Sequence, residues 1–195
     1  MEHVEKLPWS AGTWTTAPVR ADADGDALVV EPAEGSDLWR VTSYGFIHDD
    51  APGLLADLPD GAAMEVSFAW GASEQFDQAG VLLMADAEHW VKAGVEFADG
   101  HLGVGAVVTA GVSDWSVGRV DGWHGREITV RVSRSGDAVT VRARCADEEW
   151  HLVRVAPIDP ALAWRAGPFC AAPTRAGLTV RFTGWSRGAA DASLH

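Results

Sequence analysis

In the stretch HWVKAGVEF, residues 89–97, apolar residues alternate with Trp90, Lys92, Gly94 and Glu96. In a strand these four share one side: an aromatic ring, an ammonium, a bare backbone and a carboxylate. A ring can cover the apolar face of a sugar while charged groups hold its hydroxyls. Alternate side chains lie about 6.6–7 Å apart along a strand, so Lys92 and Glu96 stand about 13 Å apart and form no direct pair. Gly94 leaves a notch between them, and glycine within a strand often marks close approach of a ligand or another backbone. The structural alternative is that both charges pair with neighbouring strands while Gly94 makes room for a bulky cross-strand side chain.

Asp77-Gln78-Ala79-Gly80 opens a second apolar run, QAGVLLM. A turn at DAEH (86–89) lays this run against 89–97 and brings Gln78 opposite the Glu96–Phe97 end. Amide and carboxylate side by side suit a polyol, although Asp77 capping a turn and Gln78 satisfying its backbone is equally physical. Ser113-Asp114-Trp115-Ser116 reads as a turn in which Ser113 and Asp114 bond local backbone. Trp115 there either plugs the end of the molecule or forms a stacking platform. Ten tryptophans against one tyrosine strengthen a carbohydrate reading, but most must be core. Parity assigns Trp70, with Phe68 and Val66, and Trp150, with Leu152, to the interior. Trp39, Trp90 and Trp115 remain candidate platforms, with the face of Trp39 undecided.

Other chemistries find less support. Glycoside hydrolysis needs two carboxylates about 5–9.5 Å apart. Sandwich glucanases carry them as Glu-x-Asp-x-x-Glu or Glu-x-Asp-x-Glu on one strand, and neither pattern occurs here. Glu96 would need a partner from another strand, with Asp77 and Asp114 the candidates. Asp22-Ala-Asp24-Gly-Asp26 resembles part of a calcium loop, but positions six and twelve are Ala27 and Ala33, so an acidic hairpin turn is expected. The seven histidines have no paired ligand spacing, and no glycine-rich phosphate loop, nucleophile elbow or Cys-x-x-Cys occurs. No metal and no cofactor are expected.

The elements that must position these residues are strands. MEVSFAW (64–70), ITVRVSR (128–134), VTVRARC (139–145) and LTVRF (178–182) all alternate with period two. Turn signals separate them at ADGDA (23–27), LPDGAA (58–63), ADG (98–100), SRSGDA (133–138) and PTRAG (173–177). Helical turns are expected only near Asp159–Ala163 and Gln75. About a dozen strands without a helical layer must close as a barrel or stack as a two-sheet antiparallel sandwich, and the sandwich fits better. At 47% hydrophobic and 22% charged, the 195 residues have material for a packed core, and one domain over 1–195 is expected.

A net charge of −13 with only two lysines, Lys6 and Lys92, argues against nucleic acid and anionic membranes as partners. Met1–Ser10 lacks a secretory apolar run and no stretch approaches a bilayer span, so a cytoplasmic protein with Cys145 and Cys170 reduced is expected.

Further residues form one ordered set: Asp37-Leu38-Trp39-Arg40, Tyr44-Gly45-Phe46, Asp77-Gln78-Ala79-Gly80, Trp90-x-Lys92-x-Gly94-x-Glu96, Val107-Val108-Thr109 and Ser113-Asp114-Trp115-Ser116. Arg154, Gly167-Pro168 and Cys170-x-x-Pro173 continue it. The set resembles the regulation-of-enolase-protein-like family, domain of unknown function 1349, from about Trp9 to Trp185. The resemblance implies the jelly-roll sandwich of the concanavalin A-like lectin/glucanase superfamily. Residues 48–61 match poorly, and Ala-Ala follows Cys170 where the family has a closer Cys-Ser-Pro. The family has no agreed chemistry, and fold does not dictate function.

The favoured expectation is a non-catalytic, lectin-like domain presenting Trp39, Gln78, Trp90, Lys92, Glu96 and Trp115 on a concave sheet face. Its ligand would be a carbohydrate or similar polyol, with Lys92 favouring an oxygen-rich or anionic group. The alternative is a protein-interaction or regulatory domain, as the family's name suggests, with edge strands leaving a homodimer open. A glycosidase using Glu96 is the third.

Overall fold

The computed structural model describes residues 4–194; residues 1–3 and 195, and with them His3 and His195, lie outside the described residues. Two antiparallel sheets face each other. The first runs, in spatial order, His151–Pro157, Ala138–Cys145, Glu127–Ser135, Ala62–Ala69, Val180–Ala189, Ala27–Glu31 and Arg20–Asp24, with Glu5–Lys6 added beside Val180–Ala189. The second runs Val112–Arg119, His101–Ala110, His89–Ala98, Gln78–Met84, Arg165–Ala171, Leu54–Asp57 and Thr13–Trp14. Strands distant in sequence lie side by side, as Gln78–Met84 does with Arg165–Ala171, which gives the jelly-roll crossover. A separate hairpin pairs Leu38–Arg40 with Ile47–Asp49.

Period-two alternation decides which face each strand buries. Met64, Val66 and Phe68 meet Val81, Leu83, Val91 and Val95 between the sheets, with Ile128, Val130, Val132, Val139 and Val141 beside them. Fully burying each such side chain stabilises the sandwich by about 1.5–3 kcal/mol. Ala98 pairs with His101 across Asp99 (φ 52°) and Gly100 (φ 79°), a two-residue turn with both central residues left-handed. The acidic 22–26 segment is a hairpin, with Asp24 paired to Arg181 and Asp26 to Lys6.

Several expectations require correction. Ser113-Asp114-Trp115-Ser116 is strand, and the turn precedes it at Gly111 (φ 75°). The short helical turns are 3-10 turns at Trp9–Ala11 and Asp121–Trp123, whereas Asp159–Ala163 and the Gln75 region form hydrogen-bonded turns and bends. Leu152 is exposed, because its strand pairs Leu152 with outward-facing Arg142 after a register shift. Trp150 lies under the Arg144 guanidinium, 4.5 Å from its ring centroid, rather than in the core. The poorly matching 48–61 segment holds part of the hairpin and the strand Leu54–Asp57. Cys145 and Cys170 are both buried and unbonded.

Candidate functional site

The expected pairing of the two central strands is present: Glu96 lies opposite Gln78, and Gly94 opposite Gly80. Register across the second sheet aligns its outward residues in rows. Trp115, Val107, Lys92 and Leu82 form one row; Val117, Gly105, Gly94, Gly80 and Phe169 the next; Arg119, Gly103, Glu96, Gln78 and Ala171 the third. The middle row therefore contains three adjacent glycines. A Cβ on Gly94 would collide with the Ala79 carbonyl oxygen, one on Gly80 with that of Ala93, and one on Gly105 with that of Ser116. Backbone contact, not a bulky neighbour, dictates glycine here.

This bare lane explains how Lys92 and Gln78 meet. They occupy rows on either side of it, yet Lys92 Nζ donates to Gln78 Oε1 at 2.9 Å. Both side chains lean into the space the glycines leave open. Lys92 Nζ also donates to Asp37 Oδ1 at 2.7 Å, and the Leu38 amide donates to the same oxygen at 2.7 Å. The ammonium is thus neutralised by a carboxylate that precedes the hairpin rather than by a strand neighbour. Lys92 is 5% exposed, so the pair is largely desolvated.

Glu96 stands differently. Among the described residues its carboxyl makes no hydrogen bond and no ion pair, and burial pushes it from 4.5 up to about 7. The Lys92 charge opposes that rise, while Asp37 and Asp99 add to it. Neither expected carboxylate partner for Glu96 is free. Asp77, fully buried, is held by Arg175 at 2.6 Å, and Asp114 is held by Arg154 at 2.8 Å. Asp37 is the second carboxylate in this cleft.

The hairpin lies over the sheet. Leu38 and Trp39 pack on Leu82, Trp90, Val107 and Phe169. The Arg40 amide donates to Ser113 Oγ at 2.9 Å and its guanidinium to the Gly111 carbonyl at 3.1 Å, which ties the hairpin to the edge strand. Trp90 is consequently 1% exposed and cannot touch a ligand, which removes it from the expected contact set. Trp39 is also mostly covered, its indole N–H donated to the Thr42 carbonyl at 2.9 Å, but one side of it borders open space. Trp115 remains 44% exposed.

Between hairpin and sheet opens a cleft of about 320 Å³. Gln78, Lys92 and Glu96 form its floor with Asp37 at the side, and Trp39, Tyr44, Phe46, His48, Phe76 and Trp115 surround it. Tyr44 stacks on Phe46 at 5.2 Å between centroids and meets Trp39 edge-on at 5.7 Å. The tip is tightly turned, with Val41 (φ 65°), Ser43 (φ 66°) and Gly45 (φ 73°) left-handed. A β-branched residue in that region is strained. The Val41 amide-to-Phe46 carbonyl bond at 2.8 Å holds it there.

Of the six expected contacts, Trp39, Gln78, Lys92, Glu96 and Trp115 are brought together. Sequence reasoning assigned no ligand role to Asp37, Tyr44, Phe46, His48 or Phe76. The dense run YGFIH, aromatic yet lacking a core partner strand, is the signal that could have found the hairpin wall. Among the described residues no group of three or more His, Cys, Asp or Glu is arranged to hold a metal ion, and no helix is long and apolar enough to cross a membrane.

Fold and cleft together define a concanavalin A-like β-sandwich with an aromatic-walled depression on one sheet. The chain belongs to the family described as protein of unknown function (DUF1349), whose pattern it matches over residues 14–189. It is 33% identical over 177 residues to Regulation of enolase protein 1 of Saccharomyces cerevisiae, covering 91% of this chain and 89% of that protein. A crystal structure of a functionally unknown protein from S. cerevisiae superposes with a TM-score of 0.87 at 33% identity, covering 94% of this chain and 98% of that one. A xylan β-1,4-xylosidase from Bacillus halodurans shares the fold at a TM-score of 0.73 and 12% identity, over 94% of this chain and 39% of that enzyme. The CBM2 module of an evolved Dit protein from Lactobacillus casei phage J-1 shares it at 0.66 and 9% identity, over 100% of this chain and 99% of that module.

Proposed function

We propose that this chain is a non-catalytic, lectin-like binding domain that takes a carbohydrate or similar polyhydroxylated metabolite in the cleft. The observation that carries the reading is convergence: Asp37, Gln78, Lys92 and Glu96 meet at the base of one aromatic-walled cleft. Ligand sites combine apolar walls with a few converging polar groups in this way, and about 300 Å³ is the lower end of their usual size. Gln78 and Glu96 hold hydroxyls, Asp37 and Lys92 fix the floor, and Trp115 with the Tyr44–Phe46 pair offers stacking faces. Two buried, unbonded cysteines fit a reducing, cytoplasmic setting. Titration against a glycan panel, read by intrinsic tryptophan fluorescence and calorimetry, is the test. Saturable binding lost in Trp115→Ala supports the reading, and silence across the panel overturns it.

A protein-interaction role, as the relative's name suggests, has one observation in its favour. The edge strand Val112–Arg119 is paired on one side only and exposes Val112, Trp115 and Val117. One stoichiometric partner retained by wild type and lost by Val117→Lys, with glycan binding absent, would favour it. Turnover of an aryl glycoside abolished by Glu96→Gln would instead indicate a hydrolase.

A further inference from the structure

We propose that the cleft selects a neutral sugar ring, anchored by a hydroxyl on Asp37 Oδ2, and rejects the phosphorylated and uronic acid forms of the same sugar. This rests on the binding reading above and names its ligand class.

Charge is the first argument. Lys92 is the only lysine or arginine among the described residues that line the cleft, and its ammonium is already engaged by Asp37 Oδ1 and Gln78 Oε1. His48 lies 3.8 Å from the Asp50 carboxylate. Asp37 balances Lys92, and Glu96 adds either nothing or one negative charge. An anionic ligand on the cleft floor therefore meets no uncompensated cation, Arg119 lying beyond Glu96 in an adjoining depression, and the whole chain carries −13. Of the oxygen-rich or anionic group expected to suit Lys92, the 2.7 Å contact with Asp37 leaves the oxygen-rich, uncharged one favoured.

Unused hydrogen-bonding capacity is the second. Asp37 Oδ2 accepts no hydrogen bond from any described residue, whereas Oδ1 accepts three, from Lys92, Leu38 and, at 3.4 Å, Gln78 Nε2. Lys92 has three N–H donors and uses two of them here. Both Glu96 oxygens are unbonded. The floor thus offers a carboxylate acceptor, one spare Lys92 N–H donor and a second carboxyl. Hydroxyls donate and accept at once and satisfy all of these, whereas an ionised phosphate or carboxylate has no proton to give Asp37. With the Glu96 carboxyl pushed up to about 7, it donates as well as accepts near neutrality.

Size is the third. At about 30 Å³ per water, the 320 Å³ cleft holds roughly ten waters, room for a ring and a flanking substituent.

The experiment is calorimetry on the intact protein with matched sets: glucose, galactose, mannose and xylose, their methyl glycosides, the 6-phosphates of the hexoses, and the corresponding uronates. At least one neutral sugar should bind, with its phosphate and uronate weaker by about tenfold or more, as like-charge juxtaposition demands. Asp37→Asn should abolish binding. Should that variant fold poorly, Glu96→Lys, which adds a cation at the floor, should recover affinity for the charged members. A phosphate or uronate binding as tightly as its neutral parent overturns the selectivity while leaving the binding reading intact. No binding by any member overturns both.

Discussion

Lys92 Nζ lies 2.7 Å from Asp37 Oδ1, joining the middle of a sheet strand to the residue that opens the covering hairpin. The contact fixes the hairpin's approach to the sheet and sets the charge of the cleft floor. Removing one partner of a buried pair leaves the other uncompensated, which costs about 3–5 kcal/mol. Lys92→Ala should lower urea-unfolding stability by that order, and the double variant Asp37→Asn with Lys92→Met should lose much less. Equal losses in both would show that the pair is not coupled.

Glu96 makes stability depend on pH in a defined direction. Its folded-state carboxyl titrates at about 7 against 4.5 for an ordinary glutamate, so the folded chain binds the proton more tightly. The contribution is fully present below about pH 4.5 and is lost as pH rises through about 7, amounting to up to ~3 kcal/mol. Glu96→Gln should therefore be more stable than wild type at pH 8 and should lack this slope. Chemical denaturation of both proteins at pH 5 and pH 8 measures it; an identical slope in the variant assigns the effect to another group.

The glycine lane predicts a large effect from a small change. Gly94→Ala drives a methyl group into the Ala79 carbonyl, and overpacking of this kind costs about 1–3 kcal/mol. Because Lys92 and Gln78 bond across the lane, ligand affinity should fall too, although residue 94 has no side chain to contribute. A variant with unchanged melting temperature and binding would disprove the close-contact account.

Tyr44 and Phe46 are exposed, and their removal should separate binding from folding. Phe46→Ala should change stability by about 0.5 kcal/mol or less. Loss of a stacking face worth about 0.5–1.5 kcal/mol should weaken sugar binding by roughly two- to tenfold. Parallel melting curves and titrations read the two effects.

The sandwich was legible because the alternation of Met64, Val66 and Phe68, and of their cross-strand partners Val132, Val130 and Ile128, follows directly from pleat geometry and burial. The floor of the site was legible for the same reason, since a turn at 86–89 forces Gln78 opposite Glu96. What escaped were contacts between residues far apart in the chain. Asp37 reaches Lys92 only because a hairpin folds over the sheet, and no local pattern encodes that approach. The same covering turned Trp90 from an outward platform into buried packing, since parity tells a face but not what lies on it. Leu152 misled for a converse reason: an edge strand with a shifted register breaks the link between parity and burial.

The hairpin has a consequence for how such a cleft diversifies. Tyr44, Phe46 and His48 come from one short contiguous segment, whereas the cores of both sheets are drawn from elsewhere in the chain. That wall is an exchangeable cassette: grafting a different 41–48 segment onto the same scaffold would recast one side of the cleft, while the polar floor of Asp37, Gln78, Lys92 and Glu96 and the residues that fold the sandwich stay untouched.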